Sequence, residues 1–440
     1  MSHSNALHRL LTAATVPALP LLRGGLVTGF DGTVLNACGL AVRLGDAVAV
    51  GRQRRPGEVI GFAGGTTQIL GLANLAGVAP GDAVVPLPAA SDVAVGPALL
   101  GRVIDGLGRP LDGRGPIMAS ARRPAQAPSL NPADRARVTQ PLATGVKVLD
   151  GLLTFGQGQR IGIMAGTGVG KSVLLGQITR WADADVVVMA LIGERGREIT
   201  DFIETELNGP ARARTVTVAV PADEAPLLRL RGAERAFAIA EHFRDAGQRV
   251  LLILDSFSRV VMAARDIAFA RGESSGGRAY PPSALGLIPR LCERAGGDRR
   301  TGGCITLVAT VLAESDDRAD PVVDAARGVM DGHVLLQRRL AGAGLFPAVD
   351  VLASASRVMP DCVAAPQLAA AARLRGWISL IEENRDLVLM GAYAPGADAE
   401  LDRALGVKAA IEAFRRQPRH QRADWDDTRR QLLALAGEAG

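Results

Sequence analysis

The sequence predicts an α/β chain, with a mostly parallel sheet covered by helices on both faces, led by a small β-barrel and followed by a helical domain. Three observations carry that expectation. Between residues 160 and 360 short apolar runs alternate with helical patterns, which is how strands joined by crossover helices read in sequence. Upstream, β-branched and apolar runs are separated by Gly, Asp and Pro at the spacing of a small barrel. Beyond Pro360 the strand pattern fades into Ala/Leu/Arg-rich helical periodicity. The chain has 440 residues, 48% of them hydrophobic and 22% charged, which is ordinary globular stock for about three domains.

In chain order, Leu7, Leu10, Leu11 and Val16 mark a short amphipathic helix in a segment over residues 1–20, too small to fold alone and either a docking segment or a frayed terminus. The barrel is expected over 21–92, with strands near 25–28, 47–50, 58–62 and 83–86. The Pro-rich stretch 123–132 reads as a loop into the α/β core. That core is expected over 93–360, its strands at 161–164, 186–192, 216–220, 250–254, 304–311 and 333–336. The helical domain follows over 361–440, with periodic runs at 368–374, 399–414 and 429–436.

Composition excludes several classes. No apolar run approaches the roughly eighteen residues of a membrane span, and Met1-Ser2-His3-Ser4-Asn5 does not resemble the start of a signal peptide, so a cytoplasmic protein is expected. Cys38, Cys292, Cys304 and Cys362 lack metal-ligand or disulfide-framework spacing and read as reduced packing residues. The net charge of +5 is modest. Aromatics make up only 3%, which argues against a stacking platform for single-stranded nucleic acid.

The chemistry begins at Ala165-Gly166-Thr167-Gly168-Val169-Gly170-Lys171-Ser172, a glycine-rich phosphate loop between an apolar strand and a helix. Its glycines let successive N–H groups converge on phosphates, Lys171 reaches the β/γ-phosphates, and Ser172 offers a hydroxyl to Mg²⁺. Ala165 stands where the strict pattern has Gly. A second apolar run, 250–254, ends in Asp255, the form of a strand that presents a carboxylate beside Mg²⁺. Between them, Leu191-Ile192-Gly193-Glu194-Arg195-Gly196-Arg197-Glu198 is another strand ending in charge. Glu194 is the candidate for orienting or deprotonating water opposite the γ-phosphate.

These segments, with Tyr280-Pro281-Pro282-Ser283, the run Asp350-Val351-Leu352-Ala353-Ser354-Ala355-Ser356-Arg357-Val358-Met359-Pro360 and the junction motif at 99–113, resemble the flagellar and type III secretion export ATPases, relatives of the catalytic subunit of rotary F-type ATP synthases. The likeness runs from about residue 20 to 420 and implies an N-terminal β-barrel, a RecA-like P-loop ATPase core and a C-terminal helical domain, six copies forming a ring. By position it implies that Gly166, Thr167, Gly168, Val169, Gly170, Lys171, Ser172 and Val173 bind the nucleotide. Ser172, Asp255 and Glu198 would serve Mg²⁺, Glu194 would polarise the attacking water, and Arg195 would support the γ-phosphate. Arg357 matches an arginine inserted into the neighbouring subunit's site, and Phe346 an aromatic stacked on adenine. By composition alone, Arg357 also reads as a strand-end arginine and Phe346 as a core aromatic.

The family also implies ATP and Mg²⁺ as cofactors, a regulator bound at the N-terminus, a central stalk-like protein in the ring, export-gate membrane proteins, and secretion substrates with their chaperones. It implies a cytoplasmic location peripherally associated with the inner membrane, and no nucleic acid. Overall similarity leans towards the flagellar branch; the virulence branch and an F-type synthase subunit are the alternatives. A non-catalytic nucleotide-binding subunit is disfavoured by Glu194, where such subunits carry an amide, and an RNA translocase by the aromatic content. Two departures stand out: the loop 272–277 lacks the family's usual prolines, and Phe257 replaces a smaller aliphatic residue.

Overall fold

The computed structural model describes residues 24–87, 92–275, 279–312 and 320–437. The helix expected over residues 7–16 lies outside them, as does part of the loop 272–277. Contacts divide the chain into two compact units, one up to residue 91 and one from residue 92 onward.

The first unit is a closed six-stranded antiparallel barrel in the order β1-β2-β5-β4-β3-β6. Its strands are β1 (Gly25–Asp31), β2 (Val34–Cys38), β3 (Ala47–Val50), β4 (Arg55–Ala63), β5 (Thr66–Gly71) and β6 (Ala83–Pro86). Alternating residues Val27, Leu35, Ala37, Val48, Val50, Val59, Ile69 and Val84 point inward and fill the lumen. Pairing of Leu26 with Ala83 closes the ring and removes the open edges. Two strands, β2 and β5, escape the sequence reading. The β4–β5 hairpin turns on Gly64 and Gly65, with φ of 55° and 76°, the double positive φ that a two-residue type I′ turn needs.

The second unit is built on a ten-stranded sheet. Its main strands are β7 (Val103–Ile104), β8 (Arg160–Ala165), β9 (Val186–Ile192), β10 (Thr215–Val220), β11 (Arg249–Asp255), β12 (Cys304–Leu312), β13 (Gly332–Leu336) and β14 (Val349–Ser356), in the order β14-β13-β8-β12-β11-β9-β10-β7. All neighbours are parallel except β14, which returns antiparallel to β13. Every residue of β9 and β10 is buried, as expected where helices cover both faces. The principal helices among these strands are α1 (Lys171–Trp181), α2 (Gly196–Thr205), α3 (Pro226–Asp245), α4 (Phe257–Ala270), α5 (Pro282–Cys292) and α6 (Pro321–Val329). The parallel arrangement puts the C-terminal ends of β8, β9 and β11 at one edge, where ligands of open α/β sheets bind.

Part of the stretch expected to be a loop is strand: Ala121–Pro124 pairs with Asp92–Val95 in a separate two-stranded ladder. Proline is tolerated there because an edge strand does not require its missing N–H. Asp92, expected at the end of the barrel, is thereby paired within the second unit.

Beyond the sheet come α7 (Ala365–Glu383), α8 (Ala399–Arg415) and α9 (Trp425–Leu435). They bury Leu374, Trp377, Phe414 and Leu432 in the same apolar cluster as Leu149, Phe155 and Ile163. Cys292, Cys304 and Cys362 are buried as expected, whereas Cys38 is exposed. Among the described residues no helix is long and apolar enough to cross a membrane.

Candidate active site

The loop after β8 is anchored by Val169, buried in the main core while Thr167 and Gly168 stay exposed. Gly168 and Gly170 take φ of 76° and 87°, the left-handed region that favours glycine. Gly170 caps α1, which starts at Lys171. The unpaired N–H groups of the first turn and the positive end of the helix dipole therefore lie where the loop opens, a ready anion site.

Asp255, at the end of β11, and Glu194, two residues past β9, converge on Lys171. The Nζ donates to Asp255 Oδ1 at 2.6 Å and to Glu194 Oε1 at 3.3 Å. Thr310, on β12, donates its hydroxyl to the same Asp255 oxygen at 2.6 Å. Burial works against the charge on Lys171, but the two carboxylates outweigh it and hold its pKa above the ordinary lysine value. Glu194 is pushed up, first by burial and then by the charge of Asp255, with Lys171 and Arg259 opposing. A carboxylate of raised basicity at a sheet edge is suited to taking a proton from water.

The turn holding Glu194 is set by Gly193, whose φ is 75° and whose N–H donates to Val220 O at 2.7 Å. A Cβ at Gly193 would come within 2.7 Å of Arg259 Cβ. Arg259 escapes the sequence reading. Its Nε is buried without a hydrogen-bond partner among the described residues, and its charge is one of those that oppose the rise at Glu194. The oxygen donors of Ser172 and Asp255 fit a hard cation such as Mg²⁺. Both bonds to Asp255 seen among the described residues fall on Oδ1, which leaves Oδ2 for a metal or its water.

Beside the loop lies a cleft of roughly 380 Å³ lined by Gly170, Val173, Leu174, Phe346, Pro347 and Arg419. Phe346 is half-exposed there rather than packed in the core, at 45%, and its ring edge would sit 3.5 Å from a Cβ at Gly170. A flat apolar face bordering a phosphate loop can take a nucleobase. The segment after α8 adds Gln417 and Pro418 to the lining. Gln417 donates its N–H to Phe346 O at 2.9 Å and accepts from Lys147 N at 2.8 Å.

Three expected site residues form no bond to Lys171, Glu194 or Asp255 among the described residues. Arg195 and Glu198 are exposed at the start of α2 and pair with each other at 3.5 Å. Arg357 follows β14 and is exposed, with its guanidinium donating to the backbone oxygens of Met330 at 2.8 Å and Arg327 at 3.3 Å. Ser356 pairs with Gly332, whereas Leu336 pairs with Ala165 at the loop. Arg357 therefore sits at the edge of the sheet opposite its own phosphate loop.

The profile of the ATP synthase alpha/beta family nucleotide-binding domain matches residues 145–356, and that of the T3SS EscN ATPase C-terminal domain matches 363–434. The chain is 44% identical to the flagellum-specific ATP synthase of Pseudomonas aeruginosa, covering 99% of this chain and 97% of that one. It is 42% identical to the type 3 secretion system ATPase of Xanthomonas euvesicatoria, over 95% of each. The solved structure of assembled EscN from enteropathogenic E. coli superposes with a TM-score of 0.89 at 38% identity, covering 94% of this chain and 100% of that one. A loop-bound lysine between two sheet-edge carboxylates, an apolar cleft beside it and full-length likeness at this level identify the chain as a member of the flagellar and type III secretion ATPases within the ATP synthase alpha/beta family.

Proposed function

We propose that the chain hydrolyses ATP in a homohexameric ring and thereby drives protein export of the flagellar type. The observation that carries the chemistry is Lys171 held between Asp255 and Glu194. The triphosphate competes for Lys171 and draws it onto the β/γ-oxygens, and loss of that partner makes the Glu194 carboxylate more basic. Glu194 then orients a water against the γ-phosphorus and takes its proton as the bond to the β-phosphate oxygen breaks. Mg²⁺, held by Ser172 and Asp255, would supply charge neutralisation on the phosphates. Phe346 stacks on the base. Arg195 and Glu198, exposed at the start of α2 just after Glu194, support the γ-phosphate and the metal shell.

Arg357 acts on a neighbour's site, for which its distance from its own loop is the support. The solved assembly of EscN with its central stalk EscO, which this chain matches with a TM-score of 0.88 at 37% identity, supports a ring with a stalk-like partner. A regulator on residues 1–20, export-gate proteins, substrates and chaperones complete the proposed partners, at the cytoplasmic face of the inner membrane. In a source strain lacking the gene, the wild-type chain should restore filament growth and motility, and Glu194→Gln should not. Motility untouched by the deletion while effector secretion is lost assigns the chain to the virulence branch instead.

A further inference from the structure

We propose that Glu206 is a positioning residue that sets nucleotide affinity by clamping the wall of the base cleft to the phosphate-loop helix. The inference rests on the reading of that cleft as the base site. Glu206 caps the C-terminal end of α2, the helix that begins beside Glu194. Its side chain is 3% exposed. One carboxylate oxygen accepts from Arg180 Nη1, on α1, and the other from Arg419, whose Nε lies at 3.1 Å. Two further ties join the same elements: Arg180 Nη2 donates to Arg419 O at 3.1 Å, and Gln177 Nε2 to Pro418 O at 3.3 Å.

Three stretches far apart in sequence thus meet on one buried carboxylate: the helix that carries Lys171, the end of the helix after Glu194, and the segment 417–419 that lines the cleft. Taking a charge out of water is unfavourable unless it is fully paired, and removing a partner leaves the remainder exposed to that penalty. A second observation points the same way. Gly176 lies inside α1, where glycine is less favourable than alanine, and a Cβ there would stand well inside contact distance of the Glu206 carboxylate. The helix gives up its side chain at the one place where this carboxylate approaches.

A residue that holds the cleft wall affects only ligands that carry a base. Glu206→Gln should raise the KM for ATP about tenfold with kcat held within about twofold. The Ki of inorganic tripolyphosphate, which lacks a base, should not move. Gly176→Ala should reproduce the effect by displacing the carboxylate, and Arg419→Gln, a change at a half-exposed residue, by removing its partner. The double variant Gly176→Ala/Arg419→Gln should be no worse than the weaker single, since all act through one contact. Phe346→Ala is the control. If it raises the KM while folded Glu206→Gln, Gly176→Ala and Arg419→Gln leave it unchanged, the clamp is wrong and the base cleft stands. If Phe346→Ala leaves the KM unchanged, the base-cleft reading itself fails. A parallel rise in the tripolyphosphate Ki, or a fall in kcat alone, also overturns the clamp.

Discussion

Mixing Arg357→Ala chains with Glu194→Gln chains should restore hydrolysis that neither variant has alone. The reason is geometric. Four residue steps separate the two ends of the β8–β13 ladder, from Ile161 opposite Gly332 to Ala165 opposite Leu336, or about 13 Å at roughly 3.3 Å per residue. Arg357 lies beyond one end and Lys171 beyond the other, so the guanidinium cannot reach its own site, and any part it plays in hydrolysis falls on an adjacent copy. Arginines supplied across subunits are worth about 10³ or more in rate, so Arg357→Ala alone should be nearly inactive while still binding ATP. In a random one-to-one mixture, an interface works when an intact Glu194 faces an intact Arg357, which happens at about one interface in four. Phosphate release per chain should therefore recover to about a quarter of the wild-type rate, from near zero in each parent. Differently tagged chains, co-purified, establish that mixed rings form. If mixed rings form and stay inactive, or if the dilute monomer hydrolyses ATP at the full rate, the trans assignment is refuted.

Glu194→Gln should keep ATP binding, followed with a fluorescent nucleotide, and lose about 10²–10⁴ in turnover; near wild-type turnover removes Glu194 from the chemistry. Because burial holds the Glu194 carboxyl above its ordinary value and only the ionised form accepts the water proton, kcat/KM should rise with pH through that raised value; a rise centred on the ordinary glutamate value contradicts it. Lys171→Ala should weaken ATP binding and hydrolysis together, since it removes the phosphate ligand and leaves two buried carboxylates without their cation; calorimetry and a steady-state assay check both, and an unchanged KM and rate refute it. Burial pushes Cys292 to about 12 and Cys304 and Cys362 to about 11, so iodoacetamide at neutral pH should label native protein at exposed Cys38; equal labelling at Cys304 contradicts the packing.

The parts of the site that sequence makes legible are those written in contiguous residues. A strand, a glycine loop and Gly-Lys-Ser specify a phosphate cradle wherever they occur together, and an apolar run that stops at Asp255 or Gly193-Glu194 declares a sheet edge. What escapes is written across long separations. Thr310 meets Asp255, and Arg419 meets Glu206, through strand order and helix packing that no local pattern encodes. Arg259 hides in an ordinary amphipathic helix and comes beside Glu194 only because Gly193 turns against it. In the barrel, Gly64-Gly65 is a readable hairpin pair, and following it recovers β5; β2, short and interrupted by Asn36, offers less. β14 is missing from the expected strand runs, although Arg357 reads as a strand end, because an antiparallel return breaks the strand–helix alternation that reveals its neighbours.

The apolar cluster that runs unbroken from Leu149 and Phe155 into Leu374, Trp377 and Leu432 governs how this chain can be divided and recombined. A protein cut after residue 360 would leave the underside of its nucleotide-binding half wet and apolar, prone to aggregate before any catalytic defect could be measured. Exchange of roughly the last eighty residues with those of a relative would likewise join two half-surfaces that were never matched. The helical end is thus no detachable attachment: a strain applied at its far tips arrives at Phe155 and the sheet through close-packed side chains, which transmit displacement because they have little room to absorb it.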